Sequence, residues 1–295
     1  MTKQKIWLDG KLVDWDKANF HLLTHTLHYG SGAFEGIRAY ATASGPAVFR
    51  LDDHLKRFVY SAKVFGLKMP YKIKELKGAI IDLLKINRLE EGYIRPIVFY
   101  GNKMGLVPTG APIHVAIAAW PWGKYLAKDR VAVKISKFIR LHPKSTVIDA
   151  KLSGHYANSI VASMEAKDLG FDEALLLDHE GNIAEGPGEN IFFIKDRTLV
   201  TPQPGSILPG ITRDSIKRIA KDLKYKLVEK KIRPAEIKNY AEAFFVGTAV
   251  EVCPIARINN FKFKGSEQAT ELQKTYNDTV RGKIKKYKKW LTYSK

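Results

Sequence analysis

The sequence predicts an α+β fold in two halves, and three observations carry that prediction. The chain is 295 residues long, beyond the roughly 100–200 residues of one compact domain. Apolar residues recur with a period of two in some stretches and 3.6 in others, so strand and helix patterns interleave along the chain. The stretch Pro121-Trp122-Gly123-Lys124-Tyr125 interrupts that succession. Residues 1–120 therefore read as a small N-terminal domain, 121–132 as an interdomain loop and 133–295 as a larger C-terminal domain.

The elements follow in order. Residues 5–8 and 11–13 flank Asp9-Gly10, a two-residue turn of the kind that closes a β-hairpin. Residues 47–50 form a short strand after Gly45-Pro46. Residues 51–65 place Leu51, Leu55, Phe58 and Val59 on one helical face, with Asp52 or Asp53 as cap, and 73–87 form a second amphipathic helix. Residues 93–100 and 113–120 are apolar, β-branched runs of central-strand type. Beyond the break, 131–138 is a strand and 154–167 a helix ended by Gly170. Residues 173–178, 183–185, 190–194 and 198–200 are strands, 211–223 is a helix behind Leu208-Pro209-Gly210, and 244–246 is a strand opening into Gly247-Thr248-Ala249. Leu272, Tyr276, Val280, Ile284 and Tyr287 recur at helical spacing, which predicts a tail helix with a basic outer face.

Composition narrows the function. The net charge is +19, but the lysines are spread along the chain, with one dense run at 283–289. Nucleic-acid binders concentrate charge on one element and interleave aromatics, so a nucleic-acid partner is not expected. No stretch approaches the ~18–20 apolar residues of a membrane span, and residues 1–7 lack the apolar core of a signal peptide. A single cysteine, Cys253, fits a reducing cytoplasm.

Some motifs lead nowhere. Gly30-Ser31-Gly32-Ala33-Phe34-Glu35-Gly36 has its third glycine one residue late for a dinucleotide fingerprint. His21, His25 and His28 are helically spaced but have no cysteine or carboxylate beside them at ligand spacing, so they read as structural and no metal is expected. No serine-centred nucleophile elbow appears.

Four other segments share one logic. Lys151, in Asp149-Ala150-Lys151-Leu152-Ser153-Gly154, sits among small and apolar residues before a helix. Such a lysine would be partly desolvated, leaving an amine able to condense with an aldehyde, though alone it reads more readily as a surface lysine. Glu185-Gly186-Pro187-Gly188-Glu189-Asn190 puts carboxylates in a glycine-rich turn, where one could pair with a protonated ring nitrogen; alone, it is also a solvated hairpin turn. Leu208-Pro209-Gly210-Ile211-Thr212 opens a helix whose free N–H groups favour phosphate. Gly247-Thr248-Ala249 is a second turn able to present N–H groups and a hydroxyl to an anion. Together they supply an amine, an acid and two anion nests.

In that order, and with Leu27-His28-Tyr29-Gly30, Phe34-Glu35-Gly36-Ile37-Arg38, Tyr93-Ile94-Arg95-Pro96 and Gly188-Glu189-Asn190, these segments resemble the class IV aminotransferases. The match runs from about Ile6 to Ile258 and is closest to the branched-chain amino acid type. The resemblance implies a two-domain fold type IV enzyme, similar to D-amino acid aminotransferase, with pyridoxal 5′-phosphate at the domain interface. It implies transamination of leucine, isoleucine and valine with 2-oxoglutarate, in a homo-oligomer that is a dimer or a hexamer. Lys151 is similar to the Schiff-base lysine and proton shuttle, Glu185 to the acid at the pyridine nitrogen, and Tyr156 to the hydroxyl at the phenolic oxygen. Arg57, Ile211, Thr212 and Thr248 resemble the phosphate ligands. Tyr93 with Thr248 and Ala249 resembles the α-carboxylate site, and Phe34, Trp122 and Tyr125 the apolar side-chain pocket. Arg95 and Tyr29 would meet the glutamate γ-carboxylate, Tyr29 and the loop 104–107 reaching in from the partner subunit. D-amino acid aminotransferase, (R)-amine transaminase and 4-amino-4-deoxychorismate lyase are the alternatives within the same fold, and the weaker match beyond Ile258 leaves the basic tail outside it.

Overall fold

The computed structural model describes residues 4–123 and 128–294. Two compact units divide the chain. The first takes residues 4–123 and gathers two later segments, 150–155 and 279–294; the second comprises 128–149 and 156–278.

The first unit is built on an antiparallel sheet. Its strands are β1 (Lys5–Leu8), β2 (Lys11–Asp14), β3 (Gly32–Phe34), β4 (Ile37–Tyr40), β5 (Ala47–Phe49), β6 (Gly92–Tyr100) and β7 (Ile113–Trp120), with the C-terminal strand Leu291–Tyr293 on β5. Asp9 and Gly10 both have positive φ, 47° and 85°, as a two-residue hairpin turn requires. The short α1 (His25–Tyr29) precedes β3, while α2 (Leu51–Val64) and α3 (Ile73–Ile86) pack Leu55, Phe58, Leu76 and Ile80 against Ile94 and Val98 of β6. The second unit has a mixed sheet of β8 (Val131–Ile139), β9 (Glu173–Leu177), β10 (Asn190–Lys195), β11 (Thr198–Pro202), β12 (Lys226–Lys230), β13 (Glu242–Gly247), β14 (Glu251–Ile258) and β15 (Phe261–Lys262). The pairs β8–β9, β8–β14 and β11–β12 are parallel. Ile191, Phe193, Phe245 and Ile255 lie in its core, and its helices are α4 (Tyr156–Asp168), α5 (Ile211–Asp222) and most of α6 (Glu267–Val280). Among the described residues no helix is long and apolar enough to cross a membrane.

Three expectations need correction. Neither Asp52 nor Asp53 caps α2: the N-cap is Arg50 in the left-handed region, φ 51°, held there by its N–H to the Trp290 carbonyl at 2.7 Å. The two acids sit in the first turn, where they still complement the helix dipole. Residues 183–185 make no strand, only a single bridge from Leu177 to Ile183, because their N–H groups diverge: Ile183 donates to Ile232 and Ala184 to Leu176. The tail helix stops early. Leu272, Tyr276 and Val280 are buried as the spacing predicts, but α6 ends at Val280 and Gly282 turns the chain with φ 71°. Residues Lys285–Trp290 form a 3₁₀ segment pinned by the Tyr287–Trp290 stack, centroids 4.3 Å apart, so the lysine run lies on no α-helix.

Candidate active site

In the first unit Lys151 is clamped through its backbone. Its carbonyl accepts the Phe34 N–H at 3.1 Å, and its own N–H donates to Ser61 Oγ of α2 at 2.9 Å. Its Nζ stands 4.9 Å from the Phe34 ring centroid. The Arg95 guanidinium is 4.7 Å from the same ring and 5.4 Å from that of Tyr93, and Tyr93 lies 5.0 Å from Trp122. The register explains the gathering. Tyr93 and Arg95 are two apart on β6, hence on one face, and Phe34 enters the sheet opposite Ile97. A Cβ on Gly36 would lie 1.9 Å from the Tyr93 hydroxyl, so only glycine lets that side chain in. Arg95 Nε is buried without a hydrogen-bond partner among the described residues. A buried donor left unmet costs about 1–3 kcal/mol, which marks a place built for an acceptor.

Beside this run lies an ionic cluster that the sequence reading passed over. Glu35 is completely buried. Its carboxylate accepts Arg57 Nε at 2.6 Å and Nη2 at 2.9 Å, a two-point fork, and bonds His54 Nδ1 at 2.7 Å. Burial alone would raise its pKa, but Arg57 and His54 outweigh burial and hold the carboxyl well below the usual range. Burial pushes His54 below its ordinary value, Glu35 opposing, with Arg57 and Lys151 adding to the depression. His54, Arg57 and Ser61 share one face of α2. The Phe34–Arg38 stretch and Arg57 carry the family likeness, yet nothing in either announces that Glu35 and His54 meet.

In the second unit the candidates sit in turns. Glu185 is buried, its Oε1 accepting Arg140 Nε at 2.6 Å and its Oε2 accepting Asn190 Nδ2 at 2.9 Å and the Leu208 N–H at 3.0 Å. Arg140 and Asn190 had no assigned role; an arginine just past the end of an apolar strand carries no sequence signal for such a pairing. Asn190 also donates to the Leu208 carbonyl at 3.0 Å, tying the 185–190 turn to the one ahead of α5. A Cβ on Gly210 would fall 2.0 Å from Asn190 Oδ1. Among the described residues no side chain caps α5, and the buried Ile211 and Thr212 hold its first two positions. The turn carrying Thr248 and Ala249 packs close by, since a Cβ on Gly247 would meet Glu189 Cβ and the Gly188 carbonyl at 3.3 Å. Three turns therefore converge.

The remaining candidates are placed more loosely. Tyr156 opens α4, and Tyr29, at the end of α1, is 37% exposed. Tyr125 lies outside the described residues. His21 Nδ1 bonds the Leu23 N–H, His28 Nε2 the Leu22 carbonyl, and His25 the Ser31 hydroxyl and the Gly105 carbonyl, so each ring is taken up in structural hydrogen bonds.

An amine over an aromatic ring, a buried acid held by an arginine and an uncapped helix N-terminus are the parts that an anionic, ring-bearing cofactor requires. The model of the amino-transferase class IV family matches residues 32–258, and the chain belongs to that family. It is 45% identical to the branched-chain-amino-acid aminotransferase of Pseudomonas aeruginosa, over 98% of this chain and 97% of that one. The crystal structure of the branched-chain aminotransferase from the thermophilic archaeon Thermoproteus uzoniensis with norvaline superposes with a TM-score of 0.96 at 41% identity, covering 99% of each chain. That of the T.th. branched-chain amino acid aminotransferase complexed with N-(5′-phosphopyridoxyl)-L-glutamate matches with a TM-score of 0.96 at 40% identity over 100% of both.

Proposed function

We propose that this chain transfers the amino group of L-leucine, L-isoleucine or L-valine to 2-oxoglutarate, with pyridoxal 5′-phosphate as cofactor. The observation that carries the reading is the run from Lys151 through Phe34 and Arg95 to Tyr93 and Trp122. It sets a reactive amine beside an aromatic wall that suits a branched alkyl chain, and a cation with an unmet buried donor that suits a γ-carboxylate. Relatives whose ligands are norvaline, with an unbranched alkyl side chain, and a phosphopyridoxyl-glutamate support an apolar and a γ-carboxylate side-chain class.

The residues fit the cofactor. The uncapped start of α5 supplies N–H groups for a phosphate, the Gly210 backbone is bare where a Cβ would strike Asn190, and Glu185 is an acid fixed from three sides. Arg57, Ile211, Thr212 and Thr248 would hold the phosphate, Glu185 the ring nitrogen and Tyr156 the phenolic oxygen. When bound, pyridoxal phosphate supplies the electron sink for the pair left as the substrate Cα–H bond breaks. Lys151 Nζ would hold the cofactor and would take the proton from the substrate Cα. Tyr93, Thr248 and Ala249 would orient the α-carboxylate, and Phe34 and Trp122 would line the side-chain pocket and help exclude water.

The chain is read as a homo-oligomer, a dimer at least. Leu22, Leu27, Leu106 and Val107 are 75%, 65%, 84% and 71% exposed, and their loops are joined by His25 Nε2 to the Gly105 carbonyl at 2.8 Å. An apolar cluster of that kind favours a covering partner, and it would carry Tyr29 and the loop 104–107 toward the other subunit's site. A single, buried Cys253 suits a reducing, cytoplasmic compartment. Glutamate formation from 2-oxoglutarate, measured with each donor in turn, tests the reading. L-leucine, L-isoleucine and L-valine should turn over, while turnover with D-alanine or an (R)-amine but not L-leucine would overturn it.

A further inference from the structure

The Glu35 cluster performs no step of that reaction, yet it is completely buried and closely bound. A fully buried carboxylate is tolerated only when paired and hydrogen-bonded, and three hydrogen bonds tie this one to α2: two to Arg57 and one to His54. Its own backbone is fixed as well, its N–H donating to the Pro96 carbonyl at 2.9 Å. Its neighbour Phe34 is hydrogen-bonded to the Lys151 backbone, which in turn is bonded to Ser61 of the same helix face. A guanidinium is planar, so a carboxylate that takes Nε and one Nη together fixes the plane and the direction of every remaining N–H. A lone bond would leave the group free to swing.

From this geometry we infer that Glu35 is the positioning residue for Arg57: it orients the guanidinium toward the cofactor phosphate and ties that orientation to the segment bearing Lys151. The inference rests on the cofactor reading above. Glu35 acts through Arg57 and touches no reacting atom. His54 takes the second lone pair of Oε2 and keeps the carboxylate from rotating out of the fork. The groups that face this carboxylate are thus Arg57 and His54 from α2, with Lys151 near enough to disfavour charge on His54.

The test compares two ligands that differ only in the phosphate. The full chain, freed of cofactor, is titrated with pyridoxal phosphate and with pyridoxal, following the absorption band that forms at Lys151. Glu35→Gln, which keeps shape but removes the charge, should weaken pyridoxal phosphate by about 10- to 100-fold, the worth of a hydrogen bond to a charged group. Pyridoxal should bind as it does to the unaltered chain. Glu35→Asp, whose carboxylate stops one methylene short of the fork, should fall between the two and serves if the glutamine variant does not fold. Equal loss of both ligands would make Glu35 a general structural support and overturn the inference, as would no loss of either. If the unaltered chain forms no band with pyridoxal phosphate, the cofactor reading fails first, which is a separate result.

Discussion

The two candidate groups are made of different material. In the first unit the chemistry is carried by long side chains on regular elements: Arg57 and His54 on α2, Tyr93 and Arg95 on β6, with Glu35 as the buried counter-ion. In the second it is carried by turns, where glycines, backbone N–H groups and one aimed carboxylate meet at Glu185, Gly210 and Gly247. The first group is electrostatic and should answer to charge and pH. The second is steric and should answer to a single methyl group. That difference is open to test in four ways, taken from the largest expected effect downward.

Lys151→Ala should abolish turnover while leaving the fold intact, measured as glutamate formation beside a thermal melt. Residual normal turnover would place the reactive amine elsewhere. In the turn group, Gly210→Ala should cost about 1–3 kcal/mol of stability, the usual penalty for overpacking, and weaken cofactor binding. Its φ of −66° is ordinary, so the whole effect is the collision with Asn190, which holds Glu185. Gly188→Ala, three residues past Glu185 and with no described atom within 4 Å of its Cβ position, should be silent. Equal melting curves for the two variants would remove the steric account.

Arg95→Ala should impair the glutamate half-reaction by about 10- to 100-fold, the worth of a hydrogen bond to a charged group, and the leucine half-reaction far less. Single-turnover rates with each donor decide it, and equal losses would make Arg95 structural. The smallest effect is an acid one. His54 is held below its ordinary 6.5 by burial, so the unfolded chain takes up a proton that the folded chain resists. Stability is then full above pH 6.5 and declines as pH falls below it. Glu35, depressed by its partners, adds a second loss below 4.5. Urea midpoints should show the wild type losing stability between pH 7 and 5 more steeply than His54→Gln. Parallel slopes would contradict the assignment.

Much of this was legible in the sequence because the signals are local. The Asp9-Gly10 hairpin, the faces of α2 and α3, the β6 and β7 strands and the start of α5 each follow from a short pattern, and all appear within a residue or two. Lys151, Glu185 and the two candidate anion turns were singled out as local chemistry as well. What escaped was set by distant partners. Residues 31–40 are buried throughout, so β3 and β4 show no alternation, and residues 30–36 read only as a failed nucleotide motif. Residues 283–289 have helical spacing, but Gly282 and the Tyr287–Trp290 stack redirect them. The pairing of Glu35 with Arg57, twenty-two residues on, and of Arg140 with Glu185, forty-five residues on, exists only once the sheets are assembled. An ion pair between elements leaves no periodicity to read.

The most direct test of the central claim is the absorption spectrum of the cofactor-loaded protein as L-leucine is added without any keto acid. The account predicts that the yellow band formed at Lys151 fades into the band of the amine form of the cofactor, and that 2-oxoglutarate restores it. A band that ignores L-leucine and responds only to D-alanine or an amine would keep the family and contradict the substrate. No band at all, even with pyridoxal phosphate in excess, would contradict the role given to Lys151.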